Sequence, residues 1–165
     1  MDPGAPAALA CGAWSPDAKR LACEGFDDAH PDRAGIYTVS SGDGQHPVRV
    51  TKQHDIPCSY SPDGKRILFL RNAGQEENNT LMTANIDGTD PRTVIPEKVG
   101  LSCDWSPDGK TILSERESSL ILIHPPSEKI MQVPIATGGR AGRGAFSPDG
   151  SHIIFSLNLA KQEDI

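Results

Sequence analysis

A short peptide returns four times in this chain, each time behind an aromatic residue and ahead of an apolar run. The copies are "WSPDAKRLAC" from Trp14, "YSPDGKRILF" from Tyr60, "WSPDGKTILS" from Trp105 and "FSPDGSHIIF" from Phe146. They align without gaps, and their serines, Ser15, Ser61, Ser106 and Ser147, are 46, 45 and 41 residues apart. A period of this size marks four-stranded units repeated around an axis, so the repeat has to be read before any single element is assigned. The chemistry of Ser-Pro-Asp-Gly agrees. Proline pre-sets φ at the second position of a type I turn, aspartate suits the third, and glycine takes the left-handed position that closes a three-residue hairpin with a bulge.

Each corner separates a short strand from an apolar run: Ile67, Leu68 and Phe69; Ile112 and Leu113; Ile153, Ile154 and Phe155. Continuous apolar runs of this length suit strands packed on both faces. A third strand follows as "GIYTV" (35–39), "LMTANI" (81–86) and "LILI" (120–123). Turn signals come next, in "SSGDG", "NIDGTDP" and "HPPSEK", and then a fourth strand in "VRV" (48–50), "RTVI" (92–95) and "IMQVPI" (130–135). Helical periodicity is absent. Four of the eight aromatic residues, Trp14, Tyr60, Trp105 and Phe146, stand at one register, where large rings would fill the wedges between neighbouring sheets.

The aromatic-Ser-Pro-Asp-Gly-Lys core, followed by an "IYTV"-type strand and an Asp-Gly turn, resembles the WD40-like β-propeller repeat of the TolB family over nearly the whole chain. The expected fold is therefore all-β, a propeller of four-stranded antiparallel blades at about 10–56, 57–101 and 102–142, with a partial blade at 143–165. The resemblance implies a non-catalytic interaction platform for protein or peptide partners. Such propellers are found chiefly in bacterial envelope proteins, which favours a periplasmic or secreted setting. They also serve as accessory domains of prolyl-oligopeptidase-like peptidases and of some polysaccharide-degrading enzymes. Two copies depart from the pattern. Ala18 stands where the corner wants glycine, at a cost of about 1 kcal/mol if it stays left-handed, and Ser151 replaces the usual lysine.

The spacing leaves the ring open. From motif serine to third strand is 21, 20 and 14 residues in the first three units, and from Ser147 to Ile165 is 18, so "AKQEDI" reads as the run-in to a strand. An open propeller exposes apolar blade faces and an unpaired edge. Self-association into one ring, continuation in a longer polypeptide, or a strand from the N-terminal "APAALA" would each cover them; the first two are favoured over a stable monomer.

Composition narrows the functional classes. A formal net charge of -6 argues against nucleic acid as a partner, because that binding relies on clustered Lys and Arg. No apolar run approaches the roughly 20 residues of a membrane span, and "MDPGAPAALACG" lacks the basic start and apolar core of a signal peptide. A G-x-S-x-G elbow, a P-loop, an H-E-x-x-H and a C-x-x-C are all missing, so no catalytic residue and no cofactor are expected, and the chain reads as a non-enzyme. The five histidines share no blade register. Cys58 and Cys103 both precede their motif serine by three residues, and are expected as unbonded apolar residues lining the centre. A pairing of Ser15 with Lys19 across the first corner would place Cys11 opposite Cys23 and permit a disulfide.

Function is expected on the face with the long, varied connections. These are "FDDAHPDRAG" (26–35), "RNAGQEENN" (71–79), "TKQHDIP" (51–57) and "TGGRAGRG" (137–144). Asp27, Asp28, His30 and Asp32 would meet His54 and Asp55 there, in a solvated acidic loop or around a cation. Arg140 and Arg143, among glycines, suit a carboxylate or an acidic peptide. A sugar platform would need exposed aromatics, and Phe26 alone is available on that side.

Overall fold

The computed structural model of the chain describes residues 5–71, 78–125, 127, 129–135 and 139–159. Among them there is no α-helix, only a 3-10 turn at Pro31–Arg33. The strands form three four-stranded antiparallel sheets and one two-stranded sheet. The first sheet is a meander of β1 (Ala8–Trp14), β2 (Arg20–Phe26), β3 (Gly35–Ser40) and β4 (Val48–Arg49). The second repeats it with β5 (Asp55–Tyr60), β6 (Arg66–Arg71), β7 (Asn79–Asn85) and β8 (Arg92–Val99). The third uses β9 (Cys103–Trp105), β10 (Ile112–Arg116), β11 (Ser119–His124) and β12 (Lys129–Gln132). The last hairpin pairs β13 (Arg140–Phe146) with β14 (Ile153–Asn158). The run "AKQEDI" and parts of the 71–79 and 137–144 connections lie outside the described residues. No helix among the described residues is long and apolar enough to cross a membrane.

The first strands of consecutive sheets face one another, which makes β1, β5, β9 and β13 the inner wall of an arc. Between the sheets lie three apolar layers. In β6, Ile67 and Phe69 pack with Ala13, Ala22, Ile36 and Val50 of the first blade, while the alternate residues Leu68 and Leu70 pack with Ile112, Ile121 and Ile123 of the third. That is period-two alternation with both faces buried. Each of the Ile, Leu, Val and Phe side chains among them gains about 1.5–3 kcal/mol from leaving water. Three of the register aromatics fill wedges as expected: Tyr60 in the first layer, Trp105 in the second and Phe146 in the third. Trp14 does not; it is 61% exposed, because among the described residues no sheet precedes the first blade to cover it. Ile154, at 74% exposed, marks the opposite open face.

Two register details differ from expectation. Each corner is one residue longer than a three-residue hairpin: Ser15 pairs with Arg20, not with Lys19, and Ser61, Ser106 and Ser147 pair with Arg66, Thr111 and His152. A bulge then displaces the register at Gly12, at Cys58 and again between Gly142 and Ala145. In the first blade that bulge restores the opposition of Cys11 and Cys23, which are bonded with Cα atoms 3.8 Å apart. Nor do Ala8, Leu9 and Ala10 complete the last hairpin; they extend β1 against β2, from Ala8 opposite Phe26.

Cys58 and Cys103 are also bonded, contrary to their expected role as separate apolar residues. They belong to different sheets, but inner strands converge, and the bulge at Cys58 brings the two Cα atoms to 5.5 Å, inside the range a disulfide spans. No cysteine is free.

Candidate functional site

The four corners settle what their serines and aspartates do. In every copy the serine hydroxyl donates to the aspartate two residues on, at 2.6–2.7 Å, and accepts the N–H of the fifth residue at 2.9 Å. The same aspartate oxygen takes the N–H of Lys19, Lys65, Lys110 or Ser151 at 3.0–3.1 Å. The serine hydroxyl holds the carboxyls of Asp17 and Asp63 below the usual range and that of Asp149 down to about 2; for Asp108 the Lys110 N–H is the larger cause. Both groups are engaged in the hydrogen bonds of their own turn. Glycine supplies the left-handed turn at Gly64, Gly109 and Gly150, with φ of 69°, 73° and 72°. A methyl group at those glycines would lie 3.6, 3.8 and 3.5 Å from the ring of Pro16, Pro62 and Pro107, so each corner rests on the proline of the corner before it.

On the opposite side the connections carry the expected residues, and the structure divides them. Asp27 is buried and serves its own loop: its carboxylate accepts the N–H groups of Ala29 and His30 and pairs with Arg33 at 3.2 Å and His30 Nδ1 at 3.4 Å. Desolvation pushes its pKa up, but the His30 contacts and the Ala29 N–H together hold it below the ordinary value. Asp28 is exposed, and Asp32 contributes its backbone carbonyl to Arg49. His54 stands 3.5 Å from Glu24 on β2, whereas Asp55 is fully buried in a bidentate pair with Arg71, at 3.0 and 3.1 Å. Among the described residues no group of three or more His, Cys, Asp or Glu side chains is placed to hold a metal ion. These six residues thus divide into a loop hub, a strand-end ion pair and separate surface groups.

Arg140 and Arg143 are brought together. Both line a cleft of about 260 Å³ with Glu115, Ser118 and Asn158, at the loop end of β13. Arg140 Nε donates to Ser118 Oγ at 2.7 Å, and the Arg143 N–H reaches the Glu115 carboxylate at 3.4 Å. Arg143 itself is left-handed, with φ of 51°, at the bulge that turns β13. A non-glycine residue is held there only where its surroundings over-determine it. Glu115 and Ser118 escaped the sequence reading because they sit at the end of β10 and on the turn after it, twenty or more residues from the arginines, with no motif of their own.

No family model matches the chain. A curated relative, the uncharacterized peptidase YuxL of Bacillus subtilis strain 168, is 31% identical over 159 residues, which is 92% of this chain and 22% of that protein. The chain therefore spans about a fifth of the length of that relative. A protein assigned as TolB in Agrobacterium tumefaciens superposes with a TM-score of 0.72 at 19% identity, over 94% of this chain and 60% of the other. TolB of Acinetobacter baumannii gives 0.71 at 22% identity, over 94% and 38%. An oligogalacturonate lyase from Vibrio parahaemolyticus gives 0.64 at 14%, over 98% and 50%. With its repeated corners, its stacked four-stranded sheets and these neighbours, the chain has the TolB-like β-propeller fold.

Proposed function

We propose that the chain is a non-catalytic propeller module that binds protein or peptide partners through its loop-bearing face. The observation that carries this reading is the open cleft of Arg140 and Arg143. Two arginines of one inner strand, lining a cleft with Glu115 and Ser118, bring guanidinium groups suited to the carboxylates of an acidic segment. The two disulfides fit an oxidising compartment, where such bonds persist. Fluorescence anisotropy with a labelled glutamate-rich peptide tests it. Replacing both arginines by alanine is expected to weaken binding about ten-fold, roughly 1.4 kcal/mol, and a basic peptide should not bind. Equal affinity in wild type and variant would remove the reading.

A second reading, an accessory propeller of a larger peptidase, is favoured by the match to YuxL. It predicts a hydrolase-type domain in the same reading frame outside the codons for Met1 to Ile165. Sequencing the gene on both sides decides between a larger enzyme and an independent module.

A further inference from the structure

Among the described residues that line the arginine cleft, Glu115 is the one carboxylate, and it stands beside two groups suited to bind carboxylates. Its place is fixed from two sides. A methyl group at Gly100 would lie 2.9 Å from the Glu115 carboxyl carbon and 3.0 Å from Oε1, and one at Gly142 would lie 3.1 Å from Oε2 and 3.2 Å from Oε1. Both gaps are tighter than ordinary contact, so the carboxylate runs in a slot that glycine leaves open on either side. Backbone groups hold it as well: the Gly100 N–H donates to the Glu115 carbonyl at 2.7 Å, and the Arg143 N–H donates to its carboxylate at 3.4 Å. Glu115 is half-buried in this slot, whereas Arg140 and Arg143 are both exposed.

A carboxylate confined in this way has little room to swing aside when a ligand arrives. Two arginines against one glutamate leave the lining with a single net positive charge, and the polar neighbours Ser118 and Asn158 are neutral. Like charges a few ångströms apart repel even in water, and the repulsion grows with each carboxylate a ligand adds. A built-in repulsive group is one of the two ways in which a site discriminates between partners.

We propose that Glu115 sets the specificity of the arginine cleft: a fixed carboxylate that limits how much negative charge the two arginines accept, so that the cleft gains little from a run of ligand carboxylates over an isolated one. This rests on the acidic-ligand reading of the same cleft. Fluorescence anisotropy with two labelled, C-terminally amidated peptides tests it, one with a single glutamate among glycines and serines, the other with a run of consecutive glutamates. Glu115→Gln keeps an oxygen for the Arg143 N–H and nearly the same shape in the slot, but loses the charge. It should tighten the polyglutamate peptide about five-fold and the single-glutamate peptide about two-fold or less, and the difference should shrink as salt is raised. Asn158→Asp, an isosteric change at an exposed position of the same lining, should act in reverse, weakening the polyglutamate peptide about five-fold, and it carries the test should Glu115→Gln fold poorly. Unchanged affinities in Glu115→Gln, an equal gain for both peptides, or indifference to Asp at position 158 would each overturn the proposal. Loss of binding in Glu115→Gln would overturn it too, since Glu115 would then be a support of the bulge and not a brake. In all these cases the acidic-ligand reading stands so long as replacing both arginines by alanine still weakens the peptides. Equal binding to wild type and to that double variant would remove the reading and this proposal together.

Discussion

The Asp104 carboxylate of the third blade accepts the Phe146 N–H of the fourth at 2.8 Å. One blade earlier, Ser59 Oγ accepts the Trp105 N–H at 3.0 Å. Both acceptors stand two residues before their motif serine, and both donors one residue before theirs, so a side chain of the second and of the third inner strand satisfies an amide of the next. Such a staple adds a polar tie between neighbouring sheets, beside the Cys58–Cys103 bond and the hydrogen bond from Arg140 to Ser118. In the first blade the position is Ala13, which has no acceptor to offer. Burial is the main influence on Asp104 and raises its pKa, offset in part by the amides of Phe146 and Trp105 and the hydroxyl of Ser59. A carboxyl with a raised folded-state pKa binds protons more tightly folded than unfolded. Its penalty is therefore absent below the unfolded value near 3.8 and grows as pH rises through the higher folded value. Asp104→Asn, which keeps an acceptor, should match or exceed wild-type stability at pH 7 and lose the advantage below pH of about 4. Asp104→Ala, which leaves the amide unpaired, should cost about 1–3 kcal/mol at either pH. Urea unfolding of the three proteins across that range is the measurement.

The corner aspartates act in the opposite sense. Asp17, Asp63, Asp108 and Asp149 all have lowered pKa values, held down by the serine hydroxyl and the following backbone amide. Their contribution is present above the unfolded value of 3.8 and is lost as pH falls through the folded value, which for Asp149 is about 2. With Asp27, Asp43, Asp87 and Asp90 lowered as well, eight such groups against one of the Asp104 kind predict net acid destabilisation between about pH 4 and 2. Asp149→Asn should flatten that slope in a series of thermal melts, and a slope identical to wild type would show that the turn hydrogen bonds contribute nothing to acid stability.

Much of the architecture was legible because one local rule recurs. Pro-Asp-Gly after an aromatic residue fixes a corner by backbone chemistry alone, and Ile67 to Leu70 can be buried on both sides only between two further sheets. What could not be read depends on the third dimension. The Cys58–Cys103 bond follows from the convergence of inner strands and from a bulge that no residue type announces. The exposure of Trp14 depends on which neighbour its blade has, not on its own motif. At the candidate site, Arg140 and Arg143 were visible as a basic pair, but Glu115 emerged only when separate units were brought side by side.

Ala18 has φ of 57°, the same left-handed conformation that glycine occupies in the other three corners. The expected penalty is therefore real, and Ala18→Gly should stabilise the protein. Relief of the side-chain clash, about 1–2 kcal/mol, is partly offset by the greater freedom of glycine in the unfolded chain, worth about 0.4–1 kcal/mol. The net gain should be up to about 1 kcal/mol, read as a higher denaturant midpoint at unchanged m-value. The reverse change, Gly64→Ala, should lose a similar amount, since its added methyl meets the Pro16 ring at an ordinary 3.6 Å and strain in the turn is then the main cost.

The Cys58–Cys103 bond closes a loop with a sequence separation of 45, against 12 for Cys11–Cys23. If a cross-link acts mainly by restricting the unfolded chain, the longer loop stabilises more, by about 4 kcal/mol against about 3 on the entropic account. The inter-blade bond also ties the second apolar layer at the inner wall, where Cys58 and Cys103 pack beside Leu68 and Ile112. Replacing both Cys58 and Cys103 by alanine should therefore lower stability by about 2–4 kcal/mol, more than replacing Cys11 and Cys23. Dithiothreitol should bring wild type down to the level of the variant lacking all four. Amide exchange distinguishes a local from a distributed effect: in the first variant, protection is expected to fall in β5 and β9 before it falls in β2 and β3. A uniform loss across all blades would show instead that the arc unfolds as one cooperative unit and that the clasp acts on the unfolded state alone.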